Sequence, residues 1–345
     1  MRVLLLPFSY LYGTGVALRN LFFDIGILRT RRVAVPVISV GNISVGGVGK
    51  TPFVELLARR LSQRGRKVAI VSRGYKRKSS GTVVVSNGSI VCAEADLSGD
   101  EPAQLAAKLR SVVVAVDEQR LRGARYAIQH FGTEIIILDD GFQHRYLHRD
   151  LDIVITSADE ILAGDRLLPA GNRREPLSAL HRAGLIVVSQ CHDEGHFHRA
   201  EQRLGLRINT PVAGVQIRAS AVKKASSGFS VDLRSLSGKR VVAFSGVGKP
   251  EGFDATLTSL KLEVKKHFRF SDHHRFSSED LKSVMDAARQ EGADYILTTE
   301  KDIARLSGLG SEAKGFVEQN PVYYVEIEQD LIAGEQHLVD ALARF

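Results

Sequence analysis

The residues with the clearest chemical potential form a glycine-rich segment near the start of the chain. The candidate phosphate-binding residues are Ser44, Val45, Gly46, Gly47, Val48, Gly49, Lys50 and Thr51. They match the phosphate-loop pattern G-x-x-x-x-G-K-[ST] except at Ser44, where the pattern has glycine. Gly46 and Gly47 still permit a tight turn that directs backbone N–H groups at phosphate oxygens. The pattern predicts that Lys50 contacts the β- and γ-phosphates of a nucleotide and that Thr51 holds Mg²⁺.

Two adjacent carboxylates lie further along the chain. The apolar run 135–138 predicts a buried strand, and Asp139 and Asp140 follow it directly. In phosphate-loop proteins, an aspartate at the end of such a strand holds the Mg²⁺ shell. Together with the loop upstream, this pattern predicts that Asp139 is a metal ligand. Helix capping or turn formation explains Asp140 better than Asp139.

The same loop distinguishes between classes of nucleotide-binding protein. Partner-regulated ATPases carry lysine at the start of K-G-G-x-G-K-T, but Val45 stands at that position. A GTPase would carry N-K-x-D for guanine, and the nearest string, TTEKD at residues 298–302, does not match. The sequence therefore favours ATP over GTP, and a small-molecule or lipid kinase over a nucleotide switch.

The elements that position these residues alternate between strand and helix. A strand over Ala34–Val40, a helix over Pro52–Ser62 and a strand over Lys67–Ser72 begin a parallel α/β sheet. Asn87-Gly88 predicts a hairpin between short strands on either side. Composition changes over 218–240, which predicts a linker, and the alternation resumes after it.

Composition and charge restrict the possible partners. The chain has 345 residues, of which 44% are hydrophobic and 25% charged, so it is typical of a soluble globular protein of one or two domains. Two cysteines exclude a disulfide framework and indicate a reducing compartment. The net charge of +8 indicates an anionic partner. No nucleic-acid motif is present in the sequence, so we expect no nucleic-acid partner.

The N-terminal segment combines apolar and basic residues. Val3–Leu18 carries no charge, but Arg19 ends the run before the length of a transmembrane helix, and Pro7 and Gly13 weaken it as a helix. Aromatic residues and further arginines follow up to residue 32. This mixture predicts a segment that lies in a membrane interface near anionic headgroups. A buried helix that packs on its own domain is the alternative.

The chain as a whole resembles the family of tetraacyldisaccharide 4′-kinases, which are the lipid A 4′-kinases of Gram-negative bacteria. The matching strings occur in order at residues 40–52 (VGNISVGGVGKTP), 72–75 (SRGY), 99–102 (GDEP), 138–144 (LDDGFQH), 168–171 (LPAG), 174–177 (REPL), 272–274 (DHH) and 298–302 (TTEKD). The sequence departs from the family's pattern at Gly248-Lys249-Pro250 and at Arg173. The resemblance covers most of the chain and is more specific than any single motif.

This resemblance implies ATP- and Mg²⁺-dependent phosphorylation of the 4′-hydroxyl of a tetraacyldisaccharide 1-phosphate at the cytoplasmic face of the inner membrane. The implied fold is α/β, with a P-loop parallel-sheet kinase domain and a second, smaller α/β domain joined by a two-stranded linker. The expected boundaries are 1–32 for a membrane-associated segment, 33–217 for the kinase domain with 330–345 returning to it, 218–240 for the linker, 241–321 for the second domain and 322–329 for the return strand. No obligate protein partner is expected. The alternative is a membrane-associated P-loop ATPase switch that a protein partner regulates.

The resemblance also implies roles for individual residues. Asp100 matches the family's catalytic aspartate and would act as general base, although its spacing alone favours a helix N-cap. His273 would orient Asp100, with its neighbour His274 as the alternative. Lys50 would stabilise charge on the transferring phosphoryl group, and Glu175 is a further candidate for the metal shell.

Further residues could contact the substrate. The candidates that the matching strings contain are Arg73, Tyr75, Gln143, His144 and Arg174. Arg120, Arg122 and Arg174 could contact the 1-phosphate of the lipid or the nucleotide. Solvated helix charges explain Arg120 and Arg122 equally well. A group of Cys191, His192, His196 and His198 fits no standard zinc spacing, so metal binding is not expected there.

Overall fold

The structure is a computed structural model that describes residues 2–206, 208–272, 274–306 and 311–345. Its strands are β1 (Val37–Asn42), β2 (Val68–Ser72), β3 (Val83–Asn87), β4 (Val113–Val116), β5 (Ile135–Asp139), β6 (Leu151–Ser157), β7 (Leu185–Ser189), β8 (Val212–Lys224), β9 (Ser230–Val231), β10 (Arg240–Ser245), β11 (Glu263–Arg269), β12 (Tyr295–Thr299) and β13 (Val322–Ala333). Its α-helices are α1 (Leu6–Asp24), α2 (Lys50–Gln63), α3 (Ala95–Ser98), α4 (Asp100–Lys108), α5 (Arg120–Phe131), α6 (Ala158–Ala163), α7 (Glu194–Gly205), α8 (Pro250–Ser259), α9 (Ser278–Gln290), α10 (Glu300–Leu306), α11 (Ser311–Gln319) and α12 (Glu335–Leu342).

The chain forms two compact units. Unit 1 comprises Met1–Gln216 and Gln329–Phe345, and unit 2 comprises Ile217–Glu328. The chain therefore leaves unit 1 within β8 and returns to it within β13. These divisions lie next to the domain boundaries expected at 217/218 and 329/330.

Unit 1 is built on a largely parallel sheet. Its strand order is β8-β7-β6-β1-β5-β2-β4-β3, and only the edge strand β3 runs antiparallel to its neighbour. The central strands are continuous apolar runs that are buried along their whole length, as expected for a parallel sheet with helices on both faces. This arrangement places the carboxyl ends of β1, β2 and β5 side by side, which is where α/β proteins bind ligands.

Unit 2 is a smaller α/β unit with its own core. Strands β11, β10, β12 and β13 follow one another in parallel, and β9 pairs antiparallel with β8. Phe244, Phe276 and Val284 belong to one apolar cluster, and Leu257 and Leu297 belong to another. The expected linker 218–240 thus contains the second part of β8 and the short strand β9.

The hairpin expected around Asn87-Gly88 is only partly formed. The turn is present, because Asn87 Oδ1 accepts the backbone N–H groups of Ser89 and Ile90. The expected second strand reduces to a single bridge between Ser86 and Val91. β3 pairs with β4 instead. This pairing satisfies the backbone hydrogen-bonding groups along one edge of β3 without a hairpin partner.

Helix α1 is continuous despite Pro7 and Gly13. Pro7 lies in the first turn, where its missing N–H is harmless. Gly13 faces Leu167, and a Cβ there would lie 2.8 Å from the leucine side chain. Among the described residues, no helix is both long and apolar enough to cross a membrane.

The outward side of α1 is apolar, and apart from the buried Phe23 its inward contacts are mostly polar. Ser9 Oγ donates to Leu167 O, Tyr12 Oη to Arg174 O, and Asn20 Nδ2 to Glu175 Oε2, so polar groups attach the helix to unit 1. The large apolar side chains exposed on α1 are Phe8, Tyr10, Leu11, Leu18, Leu21 and Phe22. This polarity is the reverse of that of an ordinary surface helix, which buries its apolar face. The helix thus packs on its own domain, as the alternative has it, but leaves most of its apolar side chains exposed, and the membrane contact stays a prediction.

Candidate active site

The glycine-rich loop connects the central strand β1 to helix α2. Gly49 is the N-cap of α2 and has φ 82°, a left-handed conformation that favours glycine. A Cβ at Gly49 would also lie 2.6 Å from the side-chain amide of Gln329. Lys50 and Thr51 are the first two residues of the helix. The N-terminus of a helix directs free N–H groups and a positive dipole at an anion, so the loop has the geometry that a phosphate site needs.

Ser44 stands where the phosphate-loop pattern has its first glycine. Its backbone forms a bridge with Arg173, and its Oγ donates to Glu160 Oε2 at 2.6 Å. The N–H of Val45 donates to Asn172 O at 2.7 Å. The start of the loop is therefore held by the segment 160–173, and this contact uses the side chain that replaces the glycine.

Asp139 lies in the middle of this edge of the sheet. Its carboxylate is 2% exposed, and Oδ2 accepts a hydrogen bond from Ser72 Oγ at 3.0 Å. Oδ1 is buried and has no hydrogen-bond partner among the described residues. Burial, followed by the charges of Glu101 and Asp140, raises the pKa of Asp139 to about 7, although Lys50 and Ser72 oppose this shift. The described residues therefore leave Oδ1 without a hydrogen-bond donor.

Asp140 forms ion pairs with two basic residues. Lys50 Nζ lies 3.4 Å from Asp140 Oδ1, and Arg174 Nη1 lies 3.1 Å from Oδ2. Burial alone would raise the pKa of Asp140, but Lys50 and then Arg174 hold it below its ordinary value. Asp140 has φ 51°, so it also forms the turn that ends β5. The structure thus brings the loop lysine, both aspartates and Arg174 together.

The two candidate arginines of α5 have different surroundings. Arg122 binds Asp117 through two hydrogen bonds of 2.7 and 2.8 Å, so its charge is already neutralised. Arg120 is buried, and its Nε has no hydrogen-bond partner among the described residues. Burial lowers the pKa of Arg120, and the charges of Asp139 and Asp140 oppose that effect. Arg120 is therefore not a solvated helix charge.

Glu175, the further candidate for the metal shell, is surrounded by hydrogen-bond donors. Arg182 donates to both of its carboxylate oxygens, at 3.1 and 2.9 Å. Gln143 Nε2 donates to Oε1 at 3.0 Å, and Asn20 Nδ2 to Oε2 at 2.9 Å. These contacts connect α1 to the sheet, and they also occupy the side chain of the substrate candidate Gln143. A metal role for Glu175 stays a prediction.

A basic cluster surrounds His144. Burial lowers the pKa of His144 to about 4, and the positive charges of Arg120, Arg149, Arg19 and Arg73 add to the effect. The other substrate candidates, Arg73 and Tyr75, are exposed in the segment after β2. An imidazole that is kept neutral by its neighbours indicates a local excess of positive charge, which suits an anionic group.

Asp100 is the first residue of α4, and the N-cap position belongs to Gly99, which has φ 90°. The helix-cap explanation of Asp100 is therefore wrong. Its expected partner His273 lies outside the described residues. Within unit 2, the Nε2 atom of His274 lies 2.9 Å from Asp280 Oδ2, and its ring stacks on Phe270.

A separate cluster joins two of the histidines noted in the sequence to Asp159. The potential ligand atoms of Asp159, His192 and His196 lie within 4.8 Å of one another. His196 Nδ1 accepts the backbone N–H of His192, so in the neutral ring Nε2 carries the proton and faces Asp159 Oδ1 at 3.4 Å. The ring of His192 stacks on that of His196, with 4.9 Å between the ring centroids.

Sequence reasoning missed several residues around the loop and Asp139. Ser72, Ser189, Gln190 and Gln329 each bond to Asp139 or to a loop carbonyl. For Ser72, one signal was available, since it ends a strand that neighbours the strand of Asp139. The contact of Gln329 joins residues 280 positions apart, and no local pattern reports it.

The parallel sheet, the glycine-rich loop before α2 and the aspartates after β5 define the P-loop class of nucleoside-triphosphate-binding folds. The family model for tetraacyldisaccharide-1-P 4′-kinase matches residues 1–345. The chain belongs to this family.

Individual relatives agree with this assignment. The chain is 40% identical over 335 residues to the tetraacyldisaccharide 4′-kinase of Anaeromyxobacter dehalogenans, covering 96% of this chain and 87% of the relative. It is 37% identical to that of Chlorobium limicola, covering 98% and 96%. A crystal structure of LpxK from Aquifex aeolicus in complex with ATP has a TM-score of 0.79 and 36% identity, covering 99% of this chain and 98% of that one.

Proposed function

We propose that the protein transfers the γ-phosphoryl group of ATP to the 4′-hydroxyl of a tetraacyldisaccharide 1-phosphate, which yields the bis-phosphorylated lipid A precursor. The observation that carries the proposal is the convergence of the loop lysine Lys50, Asp139 and Asp140 at the carboxyl edge of one sheet. The family of the chain supports the acceptor, and the ATP complex of the Aquifex relative supports the donor.

The loop and Lys50 bind the phosphates of ATP. The backbone N–H groups at the start of α2 face the anion, and Lys50 supplies a full positive charge beside them. Before ATP binds, Asp140 holds the ammonium group of Lys50 at 3.4 Å. Phosphoryl transfer is accelerated mainly by such positioning and charge stabilisation, so Lys50 acts on the γ-phosphoryl group throughout the reaction.

The residues around Asp139 fit a Mg²⁺ ion. Oδ1 of Asp139 is buried without a partner among the described residues, and its neighbours Glu101 and Asp140 are acidic, so a hard cation satisfies both the geometry and the charge. Asp139 and Thr51 would hold the ion. When bound, Mg²⁺ neutralises charge on the phosphate oxygens.

Asp100 is the general base in this proposal. It lies in the first turn of α4. As a carboxylate it accepts the proton of the sugar hydroxyl as the oxygen attacks the γ-phosphorus, and the bond to the β,γ-bridging oxygen breaks with ADP as the leaving group. A histidine of the segment 272–274 would orient it.

The basic cluster around His144 receives the anionic end of the acceptor. The 1-phosphate would neutralise the combined charge of Arg73, Arg120 and their neighbours, and Arg120 has a buried Nε available for it. We place the acyl chains at the exposed apolar side of α1, which would lie in the cytoplasmic leaflet of the inner membrane.

A transfer assay tests the proposal. Purified protein is incubated with γ-labelled ATP, Mg²⁺ and tetraacyldisaccharide 1-phosphate in detergent micelles, beside Lys50→Ala and a control, Lys239→Ala, whose side chain lies on the surface of unit 2. We expect label in the lipid with the wild type and with Lys239→Ala, and loss of label with Lys50→Ala. Release of free phosphate in response to a protein, with no label in the lipid, would contradict the proposal and favour the ATPase switch.

A further inference from the structure

Three consecutive carbonyl groups of the glycine-rich loop are bonded from outside by side chains that the phosphate-loop motif does not contain. The hydrogen bonds run from Gln190 Nε2 to Gly47 O (2.9 Å), from Ser189 Oγ to Val48 O (2.7 Å) and from Gln329 Nε2 to Gly49 O (2.9 Å). Each donor therefore restrains one peptide group in the part of the loop that leads into α2.

These donors come from two different strands. Ser189 and Gln190 lie at the carboxyl end of β7, and Gln329 lies in the part of β13 that belongs to unit 1. Ser189 and Gln329 are 0% and 3% exposed, so water does not compete for their bonds. Gln190 has φ 56°, which is uncommon for a residue with a Cβ atom. The restraint is thus built from outside the loop.

The orientation of a carbonyl group determines the orientation of the next amide. A trans peptide is planar, and its C=O and N–H point in opposite directions. When the carbonyls of Gly47, Val48 and Gly49 are held outward, the N–H groups of Val48, Gly49 and Lys50 are held on the other side. A phosphate site needs several N–H groups and no carbonyl oxygen facing the anion.

A glycine-rich loop does not keep this orientation by itself. Glycine adopts positive and negative φ with similar ease, so peptide groups next to Gly46 and Gly47 can reorient at little cost. The carbonyl of Gly49 also accepts the N–H of Phe53 at 3.3 Å, which is a hydrogen bond of α2. A reoriented peptide would direct a carbonyl oxygen at the β- and γ-phosphates. Three external hydrogen bonds oppose that change before the nucleotide arrives.

We propose that Ser189, Gln190 and Gln329 are positioning residues that preorganise the loop for the β- and γ-phosphates of ATP. The inference rests on the proposed function. It identifies which residues outside the phosphate-loop motif determine the affinity of the loop for phosphate. Preorganisation lowers the cost of binding, so the loss of one bond weakens nucleotide binding without removing any contact to the nucleotide.

The test compares two nucleotides on the full chain. Isothermal titration calorimetry measures the Kd of AMP-PNP with Mg²⁺, and of AMP, for the wild type, Ser189→Ala, Gln190→Ala and Gln329→Leu. We expect each variant to bind AMP-PNP about fivefold more weakly, the effect of one hydrogen bond. AMP lacks the β- and γ-phosphates, so its Kd stays unchanged. In the transfer assay the KM for ATP rises, whereas the KM for lipid does not.

Controls separate this effect from a general loss of structure. Ser86→Ala removes a buried hydroxyl of β3 that accepts the N–H of Gly88, and it should leave both affinities unchanged. Gln190 is only half-buried, so Gln190→Ala tests the inference even where the two buried variants fail to fold. Unchanged AMP-PNP affinity of that variant, or equal losses for AMP and AMP-PNP, would overturn the inference. A wild type that binds no AMP-PNP would instead overturn the proposed function.

Discussion

At the scale of single residues, the carboxyl group of Asp139 has the most unusual surroundings. It is buried, it lies near the carboxylates of Glu101 and Asp140, and one of its oxygens has no partner among the described residues. An uncompensated buried charge costs free energy, so the folded chain favours the protonated acid until a cation binds. In the proposed function, Asp139 would therefore stabilise a bound metal at the expense of the metal-free fold.

The first prediction concerns this cost. The pKa of Asp139 in the folded chain is about 7, above that of an unfolded aspartate, so the folded state binds more protons between the two values. The free energy of unfolding then falls as the pH rises through that window. Asp139→Asn lacks this titration. We expect urea denaturation in EDTA to show that the variant is more stable than the wild type, by a margin that grows from pH 4.5 to 7 and then levels off.

Mg²⁺ provides the control for this experiment. At pH 8 the ion should stabilise the wild type and not Asp139→Asn, so the margin between them should shrink. A margin that is independent of pH would show that Asp139 keeps its ordinary pKa, and the argument for a charge deficit would fail.

The second prediction concerns Asp100. If it is the general base, Asp100→Asn should lower kcat by about a hundredfold or more, with the KM for ATP changed by less than about twofold. Steady-state transfer to lipid measures both constants. Asp96→Asn is the matched control, because Asp96 lies in α3, just before α4, and pairs with Lys78 on the surface. A normal kcat for Asp100→Asn would show that Asp100 is not the general base.

At the scale of secondary-structure elements, the sequence predicted more of the fold than of the contacts between elements. Buried parallel strands are continuous apolar runs, so β5 and β7 could be placed from residue type alone. The hairpin prediction failed at residues 89–92, because pairing with β4 satisfies β3. The environment of Glu175 could not be predicted, since Asn20 lies 155 residues away and short patterns carry no information on such distances.

The third prediction concerns the junction of β4 with α5. Asp117 is fully buried and accepts hydrogen bonds from Arg122, Thr82 and the N–H of Gln119. Asp117→Ala leaves these donors without their acceptor and should lower the free energy of unfolding by about 3 kcal/mol. The control Glu201→Ala removes a half-exposed carboxylate in α7 whose partner His198 is also exposed, and it should cost less than about 1 kcal/mol. Equal losses of the free energy of unfolding in both variants, measured by urea denaturation, would show that the buried contacts of Asp117 add no stability.

The fourth prediction concerns α1. Phe8 and Leu11 are exposed on its apolar side, and their insertion into a membrane would remove that surface from water. The double variant Phe8→Ser/Leu11→Ser should bind anionic lipid vesicles at least about tenfold more weakly in flotation assays, with unchanged affinity for ATP. Ile90→Ser/Val91→Ser is the matched control, since both residues are equally exposed elsewhere on unit 1. If the two double variants weaken binding to vesicles equally, the effect is not specific to α1.

At the scale of the whole molecule, the two units have separate cores, and the described residues of the candidate site lie in unit 1. The order of the motifs in the sequence predicted that location, because the loop and the aspartates both precede residue 217. Whether His273 contributes from unit 2 remains a prediction, since it lies outside the described residues. The chain as a whole adds positive charge to the surroundings of the site. Its net charge of +8 acts on any anionic surface within the screening length of the solution.

The fifth prediction separates this charge from the apolar side of α1. The screening length falls from about 10 Å at 0.1 M salt to about 3 Å at 1 M, so salt removes the electrostatic attraction and leaves the apolar contribution. Binding of the wild type to anionic vesicles should therefore fall about tenfold over that range, which corresponds to one or two basic side chains near the surface. One or two of the exposed residues Arg29, Arg31 and Arg32, which follow α1, are the expected source. Binding to zwitterionic vesicles should not depend on salt, and at 1 M salt the two kinds of vesicle should bind equally. Binding to anionic vesicles that is insensitive to salt would mean that α1 alone holds the protein on the lipid.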